Sequence, residues 1–150
     1  MKRLIIIFSM LLPLLSCSAK MPGGPIRAYE YVHNNCTMYP IVSYQIVVDA
    51  SGVQTLVYSK NDGVEHSVVL QEDALGRIDA LTRQYKLYRL KEHYRPPFTV
   101  YDGWSWNVHI SYERDCIYSS GSNARPSKRL NAGIDAINEY IESLIPPTVG

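Results

Sequence analysis

Between residues 104 and 113 the chain alternates so strictly that only one kind of element fits it. Trp104, Trp106, Val108, Ile110 and Tyr112 fall on one side, with Ser105, Asn107, His109, Ser111 and Glu113 on the other. A period of two is that of a β-strand, and a strand with one apolar and one polar side belongs to a sheet buried on a single face. Such a sheet needs a second layer to cover that face. The rest of the chain has to supply more strands and the cover.

It supplies both. Val42, Tyr44, Ile46 and Val48 alternate with Ser43, Gln45 and Val47. Asp49-Ala50-Ser51-Gly52 then offers turn chemistry. A second strand is expected over Val53 to Ser59 and a third over Val64 to Leu70, joined by the hairpin signal Asn61-Asp62-Gly63. At Gln71 the period changes: Leu75, Ile78, Leu81 or Thr82, Tyr85 and Tyr88 recur at helical spacing. After the 104–113 strand, Cys116 to Ser119 returns as its partner. Ser120-Gly121-Ser122-Asn123 reads as loop, and Pro126 introduces a last helix with Leu130, Ile134, Ile137, Ile141 and Leu144 as its apolar stripe.

The expected fold is therefore α+β: a two-layer sandwich whose antiparallel sheet, in the chain order βββ-α-ββ-α, is covered on one face by two helices. Two stretches do not declare themselves. From Ala28 to Tyr39, Tyr29, Tyr31 and His33 alternate, which allows a short strand before the Asn34-Asn35 turn. From Arg89 to Gly103 runs a long connection pinned by Pro96-Pro97, with Phe98-Thr99-Val100-Tyr101 as a short strand candidate.

The N-terminus carries a different kind of message. Lys2 and Arg3 precede an apolar run from Leu4 to Leu15, the layout of a secretory signal. At about twelve residues the run is too short to span a bilayer, which takes roughly 20. It ends in Leu14-Leu15-Ser16-Cys17, which resembles the lipobox of bacterial lipoproteins. That resemblance implies cleavage after Ser16 and acylation of Cys17 by palmitate-type chains. Ser18, rather than an inner-membrane retention aspartate, leans toward the outer membrane. The domains follow: signal peptide 1–16, lipidated tether 17–27 containing Met21-Pro22-Gly23-Gly24-Pro25, and one α+β domain over 28–150. The expected location is the cell envelope, anchored by lipid, on the periplasmic or the outer face.

The full chain has 15 Lys and Arg against 14 Asp and Glu, a formal charge of +1; losing Lys2 and Arg3 makes it slightly negative. A near-neutral domain without a basic run argues against nucleic acid and against an electrostatic membrane patch. Twelve tyrosines accompany only two phenylalanines, which favours positions that bury a ring and keep a polar tip. Cys36 and Cys116 are either bridged, as an oxidising envelope permits, or two separate thiols.

Catalytic signatures are missing from the sequence. His33, His66, His93 and His109 lack metal-ligand spacing, no G-x-S-x-G elbow or phosphate-cradling loop is present, and no cofactor or metal is implied. A cleft gathering His93, His109, Cys116 and Arg95 would favour an enzyme. The paired tryptophans read as core because they continue into Val108, Ile110 and Tyr112. If one is exposed it is Trp104, at the mouth of the strand, and the candidate binding residues are Tyr94, Arg95, Tyr101 and Trp104. The mature chain, through its meander and helix, then Tyr101-Asp102-Gly103-Trp104, a hairpin and a terminal helix, resembles small Gram-negative lipoproteins built on domains of unknown function. That resemblance carries no activity and no site. The expected function is a non-enzymatic envelope lipoprotein that binds a protein or glycan partner. The alternative is a small inhibitor or immunity-type protein against a secreted effector.

Overall fold

A computed structural model describes residues 20–36 and 40–147 of the chain. The expected signal peptide 1–16 and the expected acylation site Cys17 lie outside the described residues. The elements, in order, are β1 (Ile26–Asn35), β2 (Val42–Val48), β3 (Gln54–Lys60), β4 (His66–Val69) and α1 (Ala74–Tyr85). They continue with a 3-10 turn at Leu87–Arg89, β5 (His93–Tyr94), β6 (Trp104–Tyr112), β7 (Cys116–Ser122) and α2 (Lys128–Leu144). The class is α+β. The sheet has seven strands in the order β4-β3-β2-β1-β6-β7-β5, and it is mixed, because β5 runs parallel to β7.

Sequence reasoning thus undercounts the strands, and for identifiable reasons. The ambiguous stretch becomes β1, the central strand, paired along its length with β2 and β6. Its inward residues are Tyr29, Tyr31 and His33 rather than aliphatics. Its outward Glu30 sits opposite Gln45 and His109, where a charge is tolerated. Pairing on both sides supplies what propensity does not. β5 is two residues long, too short to show a period, whereas Phe98 to Tyr101 forms no strand. β7 runs on through Gly121 to Ser122, past the point where the sequence suggests a loop.

Tyr29, Tyr44, Ile46, Leu56, Trp106, Val108, Ile110 and Ile117 from the sheet pack with Leu75, Ile78 and Leu81 of α1 and Ile134, Ile137 and Ile141 of α2 in one cluster. Burying each such side chain contributes roughly 1.5–3 kcal/mol. The bias toward tyrosine finds its reason here. The hydroxyl of Tyr29 donates to Asn138 on α2 at 2.9 Å, that of Tyr112 to Asp79 on α1 at 2.8 Å, and that of Tyr44 to Glu142. Each ring fills the core while its tip ties a helix flank to the sheet, which phenylalanine could not do. Burial, followed by the neighbouring Asp79 carboxylate, pushes the Tyr112 hydroxyl well above the usual tyrosine range.

Two glycines explain local geometry. Gly76 lowers the propensity of α1, yet a Cβ there would overlap the Asp73 carboxylate, which caps the helix by accepting from the Gly76 amide at 2.9 Å. At Gly121 a Cβ would overlap the Trp106 indole, which crosses the β7 backbone so that Nε1 donates to the carbonyl of Ala124 at 2.9 Å.

Residues 21–27, part of the expected tether 17–27, lie against the domain. Met21 packs against the core, and β1 begins at Ile26. The carbonyl of Gly23 accepts from the Arg114 amide at 3.2 Å and that of Pro25 from the Glu113 amide at 3.0 Å. Residues 21–27 therefore lie against the β6–β7 turn, because their carbonyls find two donors that the turn leaves unused.

Candidate functional site

The two ends of β6 define the geometry. Its Tyr112 end adjoins the Glu113–Asp115 turn and, across β1, the Asp49–Val53 turn, since Ala28 pairs with both Ser111 and Val47. Its Trp104 end adjoins Asn35 and the 95–103 loop. Eight residue steps at about 3.4 Å separate the two ends by roughly 27 Å.

This placement decides the cysteines. Cys36 follows Asn35 at the Trp104 end, where its sulfur accepts from the Gly103 amide at 2.9 Å and faces the Gly103 carbonyl. Cys116 pairs with Ser111 near the opposite end. No disulfide joins them, and a bridge needs Cα atoms within about 7 Å. The bridge permitted by the sequence is ruled out by strand register.

The four candidate binding residues separate into two roles. Tyr94 is half-buried, with its ring 6.0 Å from that of Trp106 and its hydroxyl accepting from the Lys91 amide at 3.0 Å, so it supports the core. Trp106 is core as well. Arg95, Tyr101 and Trp104 rim the end of the sheet. Tyr101 and Trp104 share a hollow of about 350 Å³ with Asn34, Cys36 and Asn123. Arg95 lines a neighbouring hollow of about 380 Å³ with Phe98 and Val100. Phe98 is 69% exposed, Val100 37% and Tyr101 94%. Trp104 is half-buried on the inward face, and the guanidinium of Arg125 lies 4.9 Å over its ring, a cation–π contact of about 0.5–1 kcal/mol.

A third concavity escapes sequence reasoning. It is a cavity of about 330 Å³ whose floor is Tyr31, His33, Val42 and Tyr44, and whose walls are Arg125 and the Asp135, Asn138, Glu139 and Glu142 stripe of α2. The signal was present: these four α2 residues recur at three- and four-residue spacing beside the apolar stripe. Read alone, they look like a solvated face. Burial raises the Glu142 carboxyl above its ordinary range, and Glu142 also pairs with Lys60. Burial, reinforced by Arg125, lowers the imidazole of His33 below its ordinary value. The Nδ1 atom of His33 meets no hydrogen-bond partner among the described residues.

The groups that would favour an enzyme lie on the outward face. His93 and His109 flank the ring of Tyr118 at 6.5 and 6.2 Å. The Nδ1 atom of His93 is 2.8 Å from Ser120 Oγ, and its Nε2 is 3.5 Å from Glu92. A serine, an imidazole and a carboxylate in line form the outline of a nucleophile relay. Here the imidazole is 53% and the carboxylate 70% exposed, so water screens the pair that would activate the serine. Cys116 lies toward the other end of the sheet and does not join them. Among the described residues no group of three or more His, Cys, Asp or Glu is placed to hold a metal, and no helix is long and apolar enough to cross a membrane. Compared with protein-family models the chain finds no match, and compared with curated proteins it finds none either.

Proposed function

We propose that this chain is an envelope lipoprotein: a two-layer α+β sandwich, anchored through acylated Cys17 and non-enzymatic, that binds a protein partner with the 95–103 end of its sheet. The observation that carries the binding half is the exposure of Phe98, Val100 and Tyr101 on one short loop. Single exposed apolar residues are ordinary, but three within four positions of sequence make a continuous apolar surface of the kind that marks an interaction site. Arg95 and Trp104 on the rim belong to residue types that anchor protein interfaces. A protein suits the site better than a glycan, because Arg125 covers the Trp104 ring, and Phe98, Val100 and Tyr101 together make an apolar set rather than the polar lining a sugar needs. The anchoring half rests on Lys2, Arg3, the apolar run and Leu14-Leu15-Ser16-Cys17.

The test has two arms. Metabolic labelling with a palmitate analogue marks the wild type and not Cys17→Ala; equal labelling ends the lipoprotein reading. Affinity capture from the native envelope retains a partner on the wild type and loses it on a Phe98→Ser, Tyr101→Ser double variant. Undiminished retention removes the loop from the interface, and capture of a polysaccharide instead of a protein would restore the glycan.

A further inference from the structure

We infer that residues 21–27 act as a clasp that sets the direction of the domain on the membrane: the end of the sheet carrying the Glu113–Asp115 and Asp49–Val53 turns faces the bilayer, and the Arg95–Tyr101 loop faces away from it. The inference rests on the acylation of Cys17 proposed above.

The argument is one of reach. Met21 packs against the core, and Gly23 and Pro25 are hydrogen-bonded to the β6–β7 turn. Arg27 at the start of β1 pairs with Glu113 at 3.3 Å and ties the segment to the same turn. Gly24, at φ +83°, makes the sharp bend that a residue with a side chain rarely adopts, and a Cβ there would come within 2.7 Å of Glu113. Whatever path residues 18–20 follow, the steps from Cys17 to Met21 reach at most about 14 Å. A domain held that closely cannot invert, because standing on its far end would lift the clasp roughly 27 Å from the lipid, beyond the reach of those steps. The ends also differ in what they present. The turn end carries Arg27, Glu113, Arg114, Asp115 and Asp49, charges of both signs that can lie near headgroups without being drawn into them. The loop end carries Phe98 and Tyr101, at 69% and 94% the most exposed large apolar side chains, while the turn end exposes the smaller Val47, Val53 and Val69. The surface offered to a partner is therefore the one farthest from the anchoring lipid. It suits a protein free in the surrounding space or fixed to a facing structure, rather than one embedded in the same leaflet.

The experiment uses the full-length acylated protein in phosphatidylethanolamine–phosphatidylglycerol vesicles containing headgroup-nitroxide lipid. A small fluorophore is placed at Ala50→Cys or at Tyr101→Cys, each in a Cys36→Ser, Cys116→Ser background. Quenching is expected to be several-fold stronger at 50 than at 101. A flexible insertion of about twenty Gly and Ser residues between Lys20 and Met21 should erase most of the difference. Equal quenching at the two positions in the uninserted protein, or stronger quenching at 101, overturns the inference while acylation stands. Failure of the protein to float with the vesicles removes the acylation reading and the inference with it, and flotation reports that separately.

Discussion

The two ends of the sheet obey opposite rules. At the turn end, polar groups are consumed locally. Asp49 accepts from the amides of Ser51 and Val53 and from the Ser51 hydroxyl, Asp73 takes the Gly76 amide and the Gln54 side chain, and Tyr112 reaches Asp79. At the loop end, Phe98 and Tyr101 stand in water, one hollow opens at Trp104 and another at Arg95, and a buried nitrogen of His33 meets no partner among the described residues. The turn end also has a hollow, of about 470 Å³ between Val53 and Val69, but its carboxylates are held by neighbouring donors. The loop end carries features that weaken an isolated domain and are useful only if something else meets them. The same strand, β6, runs from one to the other.

The sharpest way to test that division is along β6 itself. Trp106→Ala removes a fully buried indole together with its hydrogen bond to Ala124, and should lower the unfolding free energy by about 3–5 kcal/mol in urea denaturation. Tyr101→Ser, five positions earlier and exposed, should change it by no more than about 0.5 kcal/mol. Similar losses from both would mean that the loop is part of the core's support rather than a surface held in reserve.

The sequence made some of this division legible. Strict alternation across 104–113 identified β6 and its inward face, favoured the core for both tryptophans, and marked Trp104 as the ring at the mouth if either was exposed. The α1 and α2 stripes were readable for the same reason: their apolar residues recur at a period that only one element satisfies. What it hid was whatever depends on pairing. β1 is built on tyrosines and a histidine, and it becomes the central strand only because β2 and β6 pair with it. The clasp was hidden too. Met21-Pro22-Gly23-Gly24-Pro25 has the composition of a spacer, and nothing local shows that the Glu113 and Arg114 amides are waiting for its carbonyls. The α2 cavity needed both β1 and the crossing of α2 over it, so its polar stripe looked like solvent-facing helix.

The clasp gives the next perturbation. Gly24→Ala forces a side chain into a left-handed conformation and against Glu113, at a cost of about 1–2 kcal/mol. Because the segment is peripheral to the core cluster, the expected result is local opening. The amides of Glu113 and Arg114 should lose hydrogen-exchange protection while those of Val108 and Ile110 keep theirs. If protection falls uniformly across the sheet, residues 21–27 are part of the cooperative fold and not a separable latch.

The smallest effect separates the ends by pH. His33 at the loop end has an imidazole lowered by burial and by Arg125, so its folded value lies below the unfolded value of about 6.5. A base lowered in this way leaves stability intact above the unfolded value. As pH falls through that value the unfolded chain takes up a proton first, and stability declines until the folded value is passed. The turn end responds elsewhere. Asp49 and Asp73 are held below their ordinary range, chiefly by the Ser51 hydroxyl and the Gln54 side chain respectively. Their contribution is present above the unfolded carboxylate value of about 3.9 and is lost only as pH falls through the lower folded values. Urea midpoints measured from pH 7.5 downward should therefore show a shallow decline starting near 6.5, which His33→Gln abolishes, and a separate decline below about 4, which it leaves in place. If the upper decline survives in His33→Gln, the loop end does not set it, and the buried nitrogen is satisfied in solution.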